Sequence, residues 1–273
     1  MTQYGVCTWI FGGEPLGRTA ERVAKIGYDG VELMGDLNRF QPDEVNSVMT
    51  GHGLRVLSIT PENEDILHPD PAIRQRGIDY YLRLLEFGKA VGSPIVCCHG
   101  AVGRIRPVTS YEEEWELYVG AVQQIGRRAE ELEIDVVMEV LNRYEAHLLL
   151  TSDEAVRFVE EVGCPRVGIL LDTYHMNIEE KDLVSAIYYA GEHLRLFHVA
   201  DSNRQAVGRG HTHFIPIFRA LKDNGYTGSI VVENVAPGPD PFTALKGEDP
   251  IGAVETYLEE SLRLMELYEV VSI

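Results

Sequence analysis

Basic residues are scarce in this sequence. Its 273 residues include 24 Lys and Arg against 43 Asp and Glu, which gives a formal net charge of −19 at pH 7. No group of Lys and Arg is large enough to form the basic patch that nucleic-acid-binding proteins usually carry. We therefore expect no nucleic-acid partner, and we attribute most of the acidity to a well-solvated surface.

Long apolar runs are missing too. No stretch approaches the ~18 consecutive apolar residues of a membrane-spanning helix. The segment from Met1 to Tyr4 leads directly into a predicted strand, without the basic start and small-residue cleavage site of a signal peptide. We expect a cytoplasmic protein with no membrane partner.

Cysteine is rare, and its spacing resembles neither a zinc knuckle nor a disulfide framework. The four cysteines are Cys7, Cys97, Cys98 and Cys164. The first three lie in predicted strands, where a reduced thiol packs as a small hydrophobic group. We predict that all four are reduced, as is usual in the cytoplasm.

Eight short apolar segments alternate with longer segments of helical periodicity. The predicted strands are 4–11, 30–34, 55–60, 94–99, 135–141, 167–172, 194–200 and 228–234. The predicted helices are 16–27, 41–51, 71–91, 110–132, 151–162, 181–192, 212–224 and 250–268. Several strands are almost continuously apolar, which is typical of parallel strands covered on both faces. Gly27 and Gly163 follow helices as C-caps, and Ser110 opens a capping box.

This alternation predicts an α/β fold, a single (β/α)8 TIM barrel that spans residues 1–273. The length is that of a typical barrel of this kind. No Pro/Ser-rich linker divides the chain. No Gly-rich phosphate-binding sequence follows the first strand, which argues against a dinucleotide-binding fold.

Four ionisable residues stand at or near the ends of the last four predicted strands: Glu139, Asp172, His198 and Glu233. Polar residues at the C-terminal ends of barrel strands are typical of catalytic sites. Each follows an apolar run, where an unpaired charge is costly. Either the four are separately hydrogen-bonded, or they share one divalent cation. We favour the cation, because ionisable groups in such positions cluster at functional sites.

The chemistry of this set predicts the kind of ion. Three carboxylates and one imidazole form a hard, mixed oxygen and nitrogen set. Such a set suits Mn²⁺, Co²⁺ or Mg²⁺ better than an ion that prefers thiolates.

The segments around these residues resemble the D-tagatose/D-allulose 3-epimerase family, within the xylose-isomerase-like sugar isomerase and epimerase barrels. The resemblance covers the whole chain and is most specific in E-V-L-N-R-Y-E at 139–145, L-L-D-T-Y-H-M-N-I-E-E at 170–180, H-V-A-D-S-N-R at 198–204 and V-V-E at 231–233. The run from Tyr28 to Glu32 is also typical of the superfamily.

The resemblance implies roles for individual residues. It implies that Glu139, Asp172, His198 and Glu233 bind one divalent metal, with Mn²⁺ preferred, and that Glu139 and Glu233 are the two acid/base groups. It also implies that Glu145, His175 and Arg204 bind the hydroxyls and carbonyl of a sugar. The alternatives are ordinary loop charges for Glu145 and Arg204, and a capping or core role for His175.

Two loops depart from the family pattern. The family carries an aromatic residue after strand four, where this chain has His99 and Gly100. His99 either contacts substrate or forms a hydrogen bond within the barrel. His211 and His213 suggest either a second metal or, more commonly, polar residues at a helix start. Because these departures lie in loops that face the substrate, they bear on the identity of the substrate more than on the mechanism.

The expected activity is inversion of C3 of a free ketose through an enediolate, with one glutamate on each face of the substrate. The alternatives within the superfamily are an aldose–ketose isomerase, a keto-glycoside 4-epimerase and an inosose dehydratase. An endonuclease-IV-like repair enzyme conflicts with the net charge, and a non-catalytic sugar-binding protein does not explain the two glutamates beside the metal ligands. We expect a small sugar as the partner and a homodimer or homotetramer.

Overall fold

The computed structural model describes residues 2–240 and 243–272. Eight parallel strands pair in chain order, and the last pairs with the first, so the sheet closes into a barrel. This confirms the predicted TIM barrel. The strands are β1 (Tyr4–Cys7), β2 (Gly30–Met34), β3 (Arg55–Thr60), β4 (Ile95–Cys98), β5 (Asp135–Glu139), β6 (Val167–Asp172), β7 (Leu194–Val199) and β8 (Ser229–Val232).

Helices between the strands form the outer layer. They are α1 (Leu16–Ile26), α2 (Pro42–His52), α3 (Pro71–Ala90), α4 (Tyr111–Leu132), α5 (Ser152–Val162), α6 (Thr173–Glu179), α7 (Leu183–Ala190), α8 (Phe214–Asp223) and α9 (Pro250–Val271). Gly27 and Gly163 end α1 and α5 in the left-handed conformation, at φ of 109° and 65°. The Ser110 hydroxyl accepts the Glu113 N–H at 3.1 Å, as the capping-box pattern predicts.

The predicted first strand, 4–11, is too long. β1 ends at Cys7, and Thr8–Phe11 forms a 3-10 turn that the Gly12 N–H closes on the Trp9 carbonyl at 2.8 Å. Gly12 has a φ of 63°, which favours glycine and turns the chain out of the barrel. Trp9 is therefore carried on a turn at the mouth and not on a strand.

The helix α6 was not predicted. It begins directly after β6, with no loop between them, because the Asp172 carboxylate caps it by accepting the Tyr174 N–H at 2.8 Å. Strand β8 ends at Val232, two residues before the predicted end, so that Glu233 follows the strand. Its N–H still bonds the Val199 carbonyl at 3.0 Å, which keeps Glu233 in register with β7.

The continuously apolar strands are buried on both faces, by the helices outside and by the barrel interior inside, as their composition predicts. All four cysteines are unpaired. No helix within residues 2–240 and 243–272 is long and apolar enough to cross a membrane. One charged residue, Glu32 on β2, lies fully buried inside the barrel, and a buried carboxylate at such a point requires partners.

Candidate metal centre and active site

The structure brings together the four residues that the sequence singles out at the C-terminal mouth of the barrel. One ligand atom from each lies within 4.8 Å of the ligand atoms of the other three. Strand register produces this arrangement, because Asp172 on β6 stands directly opposite His198 on β7. The four, all buried, are Glu139, Asp172, His198 and Glu233.

Two atoms of this cluster are buried without a hydrogen-bond partner among the described residues: Asp172 Oδ2 and His198 Nδ1. The other oxygen of Asp172 caps α6. The nearest carboxylate oxygen to His198 Nδ1 is Glu233 Oε2, at 4.0 Å, which is beyond hydrogen-bond distance. Buried polar atoms are rarely left without a partner. An oxygen and an imidazole nitrogen converging beside two further carboxylates fit a divalent cation.

Glu32 holds the other side of the His198 ring. His198 Nε2 lies 2.9 Å from Glu32 Oε2, which leaves Nδ1 to face the cluster. Four further groups donate to the Glu32 carboxylate, namely the thiols of Cys7 and Cys97 and the hydroxyls of Ser58 and Thr60. A carboxylate behind a metal-binding histidine is the usual support of such a ligand. No role was predicted for Glu32 from the sequence, where its one signal is a glutamate inside an otherwise apolar strand.

The electrostatics of the cluster follow from burial and from the close carboxylates. Burial and Glu233 hold the pKa of Asp172 well above its ordinary value. Burial alone would lower the pKa of His198, but Glu32 and Glu233 raise it to about 10. The concentrated negative charge therefore favours a positive charge at this point, either a proton or a metal ion.

Glu233 is fixed by two donors, one on each oxygen of its carboxylate. Trp9 Nε1 donates to Oε1, and Arg204 Nη2 donates to Oε2, both at 2.8 Å. Trp9 was not predicted as a site residue, since the apolar pattern placed it in a strand and no motif marks it. These bonds orient Glu233 while its carboxylate still reaches the ligand atoms of Glu139, Asp172 and His198.

Arg204 lies in the loop between β7 and α8, in a left-handed conformation with a φ of 58°. Asp201 holds this loop: its carboxylate accepts the N–H groups of Ser202, Gly208 and Thr212 at 2.7–3.1 Å. The Arg204 guanidinium lies 4.7 Å from the centre of the Tyr174 ring. The loop thus places a buried cation beside Glu233.

Glu145 and His175 form the wall next to Arg204, and Asn142 lies between them. Asn142 Nδ2 is 2.6 Å from Glu145 Oε1 and 2.8 Å from His175 Nδ1. Burial raises the pKa of Glu145 to about 7 against the opposing charge of Arg204. Burial lowers the pKa of His175 to about 3, so its imidazole is neutral at pH 7. Asn142 lies within the family-like segment 139–145, but no role was predicted for it from the sequence.

His99 follows β4 and contacts the cluster, whereas His211 and His213 do not belong to it. His99 Nε2 lies 2.9 Å from Glu139 Oε2. Burial would raise the pKa of Glu139, but His99 and the other nearby histidines lower it to about 2. His211 Nδ1 instead lies 2.9 Å from the Ser202 hydroxyl, and His213 precedes α8.

A pocket of about 290 Å³ opens at this point on the barrel mouth. Its charged and polar lining comprises Glu139, Glu145, His175, Arg204, Glu233 and His99. Its lining also includes the apolar residues Met34, Pro61, Val102 and Leu141, together with Asn63. A few polar groups in a pocket that is otherwise lined by apolar side chains are typical of a small-molecule site.

A second buried network holds the loops that form this pocket. Glu114, in the first turn of α4, is fully buried and accepts the Val108 and Thr109 N–H groups at 2.5 and 3.2 Å. Arg104 pairs with the same carboxylate and with Asp65, and His147 Nε2 lies 2.9 Å from it. The loops after β4 and β5 therefore contact Glu114 directly, and the loop after β3 is joined to them through Arg104.

Comparison with known proteins agrees with this architecture. The family model described as "Xylose isomerase-like TIM barrel" matches residues 20–266. D-psicose 3-epimerase from Ruminiclostridium cellulolyticum is 34% identical over 224 residues, which cover 78% of this chain and 76% of that protein. 3-dehydro-D-guloside 4-epimerase from Escherichia coli is 28% identical over 232 residues, which cover 82% and 88%.

Solved structures extend the match over nearly the whole chain. The crystal structure of D-psicose 3-epimerase with D-tagatose from Clostridium cellulolyticum H10 superposes with a TM-score of 0.88 at 26% identity. The match covers 98% of this chain and 99% of that one. This chain therefore belongs to the ketose 3-epimerase family of the xylose isomerase-like TIM barrels, a family of isomerases.

Proposed function

We propose that this protein is a metal-dependent epimerase that inverts C3 of a free ketose. The observation that carries the proposal is the placement of two buried glutamates around one cluster. Glu139 ends β5 and Glu233 follows β8, strands that are not neighbours in the barrel. They approach the cluster from different sides, and inversion of a carbon needs a group on each face.

The four clustered residues would hold the cation, and the unpartnered Asp172 Oδ2 and His198 Nδ1 support this assignment. When bound, the ion would supply Lewis-acid stabilisation of the negative charge that develops on the substrate oxygens. We propose Mn²⁺ as the ion, with Co²⁺ or Mg²⁺ as alternatives, since the donors are mainly carboxylate oxygens.

The glutamates carry the proton. One carboxylate removes the proton from C3, adjacent to the carbonyl, which leaves an enediolate. The other delivers a proton to the opposite face of C3, and the reverse reaction exchanges the two roles. Trp9 and Arg204 fix the Glu233 carboxylate, and His99 contacts Glu139, so neither base has to be oriented at the moment of reaction.

The other polar groups that line the pocket would bind the sugar. Arg204 and the neutral His175 can donate hydrogen bonds to the carbonyl and hydroxyl oxygens, and Glu145 can accept from hydroxyls. His99 would contact the substrate from the side of β4. All four line the same pocket as the two glutamates, which supports the proposed roles.

The test is incubation of the Mn²⁺-loaded protein in D₂O with free ketoses, keto-glycosides and inososes, followed by NMR of the products. We expect a C3 epimer of a ketose with deuterium at C3. Epimer formed without solvent deuterium would indicate a hydride shift and overturn the two-base mechanism. Glu139→Gln and Glu233→Gln should each lower turnover by on the order of 10²-fold or more, with metal content measured in both variants.

Metal removal gives an independent test. Chelation should abolish activity, and Mn²⁺ or Co²⁺ should restore it. Full activity in a preparation shown to be free of metal would overturn the proposal.

A keto-glycoside 4-epimerase is the second candidate. It is favoured by the similarity to the E. coli 4-epimerase, of which this chain covers 88%. The same site could act one carbon further along the sugar, because the proton next to the carbonyl is then at C4. The substrate panel decides between the two, since deuterium at C4 of a keto-glycoside would establish this alternative.

Other expectations remain predictions. We propose that residues 1–273 form one domain, that the protein acts in the cytoplasm, and that it assembles as a homodimer or homotetramer. Light scattering at several concentrations tests the assembly.

A further inference from the structure

Asn142 is a buried residue that touches neither the metal cluster nor the bulk solvent, yet it contacts two residues of the sugar-binding wall. We propose that Asn142 is a positioning residue that fixes the tautomer of His175, with the proton on Nε2 and directed into the reaction site. The inference rests on the proposed function in one respect only, namely that His175 donates to a substrate oxygen.

The orientation of the Asn142 amide is set by its oxygen. Oδ1 accepts the Tyr144 N–H at 2.9 Å, so the NH₂ group must occupy the other position. That group faces Glu145 Oε1 at 2.6 Å and His175 Nδ1 at 2.8 Å. An amide NH₂ can only donate. His175 Nδ1 therefore accepts, and the single proton of its neutral ring lies on Nε2.

The protonated end of the ring faces the cluster. His175 Nε2 lies 3.8 Å from Glu139 Oε1 and 3.7 Å from Asp172 Oδ2. Both distances exceed a hydrogen bond, so the N–H is available to an oxygen placed beside the two carboxylates. In the other tautomer, Nδ1–H would point at the Asn142 NH₂ group, and Nε2 would have no proton to offer.

The same reasoning separates the two histidines of the site. His198 is also protonated on Nε2 when it donates to Glu32, but its Nδ1 lone pair faces the cluster. His175 presents its N–H to the cluster instead. The partner behind each ring thus makes one histidine a ligand and the other a hydrogen-bond donor.

Asn142 also separates His175 from a competing acceptor. Glu145 Oε1 lies 3.5 Å from His175 Nδ1. Without the intervening NH₂ group, this carboxylate would accept a proton from Nδ1 and draw the ring into the other tautomer. Asn142→Asp is the sharpest test, because it keeps the side-chain shape but replaces the donor with an acceptor.

The experiment uses ¹⁵N-histidine-labelled protein loaded with diamagnetic Mg²⁺, with His175 assigned by the signals lost in His175→Gln. Two-bond ¹H–¹⁵N correlations report which ring nitrogen is protonated. We expect Nε2–H in the wild type and a proton on Nδ1 in Asn142→Asp and Asn142→Ala. Asn63→Ala is the matched control: Asn63 lines the same pocket and forms no hydrogen bond to a histidine of the described residues, and this variant should keep Nε2–H.

A wild-type proton on Nδ1, or an unchanged tautomer in both Asn142 variants, would overturn the inference. Turnover of the substrate identified by the panel should fall at least about tenfold in Asn142→Asp with metal stoichiometry unchanged, as for the loss of one preorganised donor. Wild-type turnover in a variant with the altered tautomer would show that the tautomer does not matter. If no ketose is a substrate, the proposed function fails, while the NMR result still decides the assignment of the tautomer.

Discussion

Replacing Glu32 tests the metal centre without removing any of the candidate ligands. In Glu32→Gln the side chain keeps its size, and its carbonyl oxygen can still accept a hydrogen bond from His198 Nε2. In the wild type, His198 Nε2 lies 2.9 Å from the Glu32 carboxylate. The bond is no longer charge-assisted, and such bonds are about twice as strong as neutral ones. Loss of the partner behind a metal-binding histidine typically lowers metal affinity by 10–100-fold.

We expect Glu32→Gln to fall near the lower end of that range. A neutral hydrogen bond remains, so metal affinity should drop about tenfold, which corresponds to ~1.4 kcal/mol. Glu32→Ala is a poorer test. It would leave five donors around an empty position, including His198, Ser58 and Thr60, and unsatisfied buried donors destabilise the fold itself.

The assay is a Mn²⁺ titration with free ion followed by electron paramagnetic resonance, together with the absorption spectrum of the Co²⁺-loaded protein. Glu114→Gln provides the matched control, because Glu114 is an equally buried glutamate in a hydrogen-bonded network that contains none of the candidate ligands. It should lose stability and keep wild-type metal affinity. Wild-type affinity in Glu32→Gln would refute the reasoning, and so would equal losses of affinity in the two variants.

Three further predictions concern pH, stability and orientation. The pKa of Glu145 is raised to about 7 from an ordinary 4.5, so the folded protein binds more protons than the unfolded chain between these pH values, and stability falls as pH rises through this window. Glu145→Gln should remove up to about 3 kcal/mol of this loss in the free energy of unfolding, measured by denaturant unfolding of metal-free protein from pH 4.5 to 8. Parallel plots of unfolding free energy against pH for wild type and variant would contradict this. Glu114→Ala leaves buried donors unpaired and should cost ~3–5 kcal/mol in urea unfolding, whereas the exposed Glu116→Ala should cost less than ~0.5 kcal/mol; similar losses would show that burial is irrelevant. Trp9→Phe removes the N–H that Glu233 accepts and should lower kcat about tenfold or more with metal still bound; unchanged kcat would remove Trp9 from the site.

The order of the secondary structure could be predicted from the sequence because its physical signals are local. A continuously apolar segment must be covered on both faces, and glycine at Gly27 or Gly163 permits the left-handed helix end. The extent of β1 could not be predicted in this way, since Thr8–Phe11 is apolar enough for a strand and turns only because Gly12 closes it. The short helix α6 shares its first cap, Asp172, with the end of a strand, so no separate start signal marks it.

The candidate ligands could be predicted because parallel strands bring their C-terminal ends to one mouth. The residues that orient those ligands could not. Glu32 lies in the middle of β2, and only the closed barrel brings it to His198, 166 positions away in the chain. Trp9 likewise reaches Glu233 across 224 positions. Such pairings depend on strand register and side-chain direction, which no local pattern contains.

The barrel closes where β8 pairs with β1, and the candidate site lies across this closure. All four clustered residues come from the second half of the chain, whereas Trp9 and Glu32, which hold two of them, come from its first quarter. All four ligands are present in a newly made chain before β8 pairs with β1. Glu233, however, acquires its Trp9 partner only when that pairing forms. In the folded protein, separation of β8 from β1 would leave the four ligands on the contiguous strands β5–β8, because β8 also pairs with β7, but it would take the Trp9 N–H away from Glu233. A barrel that opens at this point therefore loses the orientation of Glu233 while the helices and the other strand pairs are still in place.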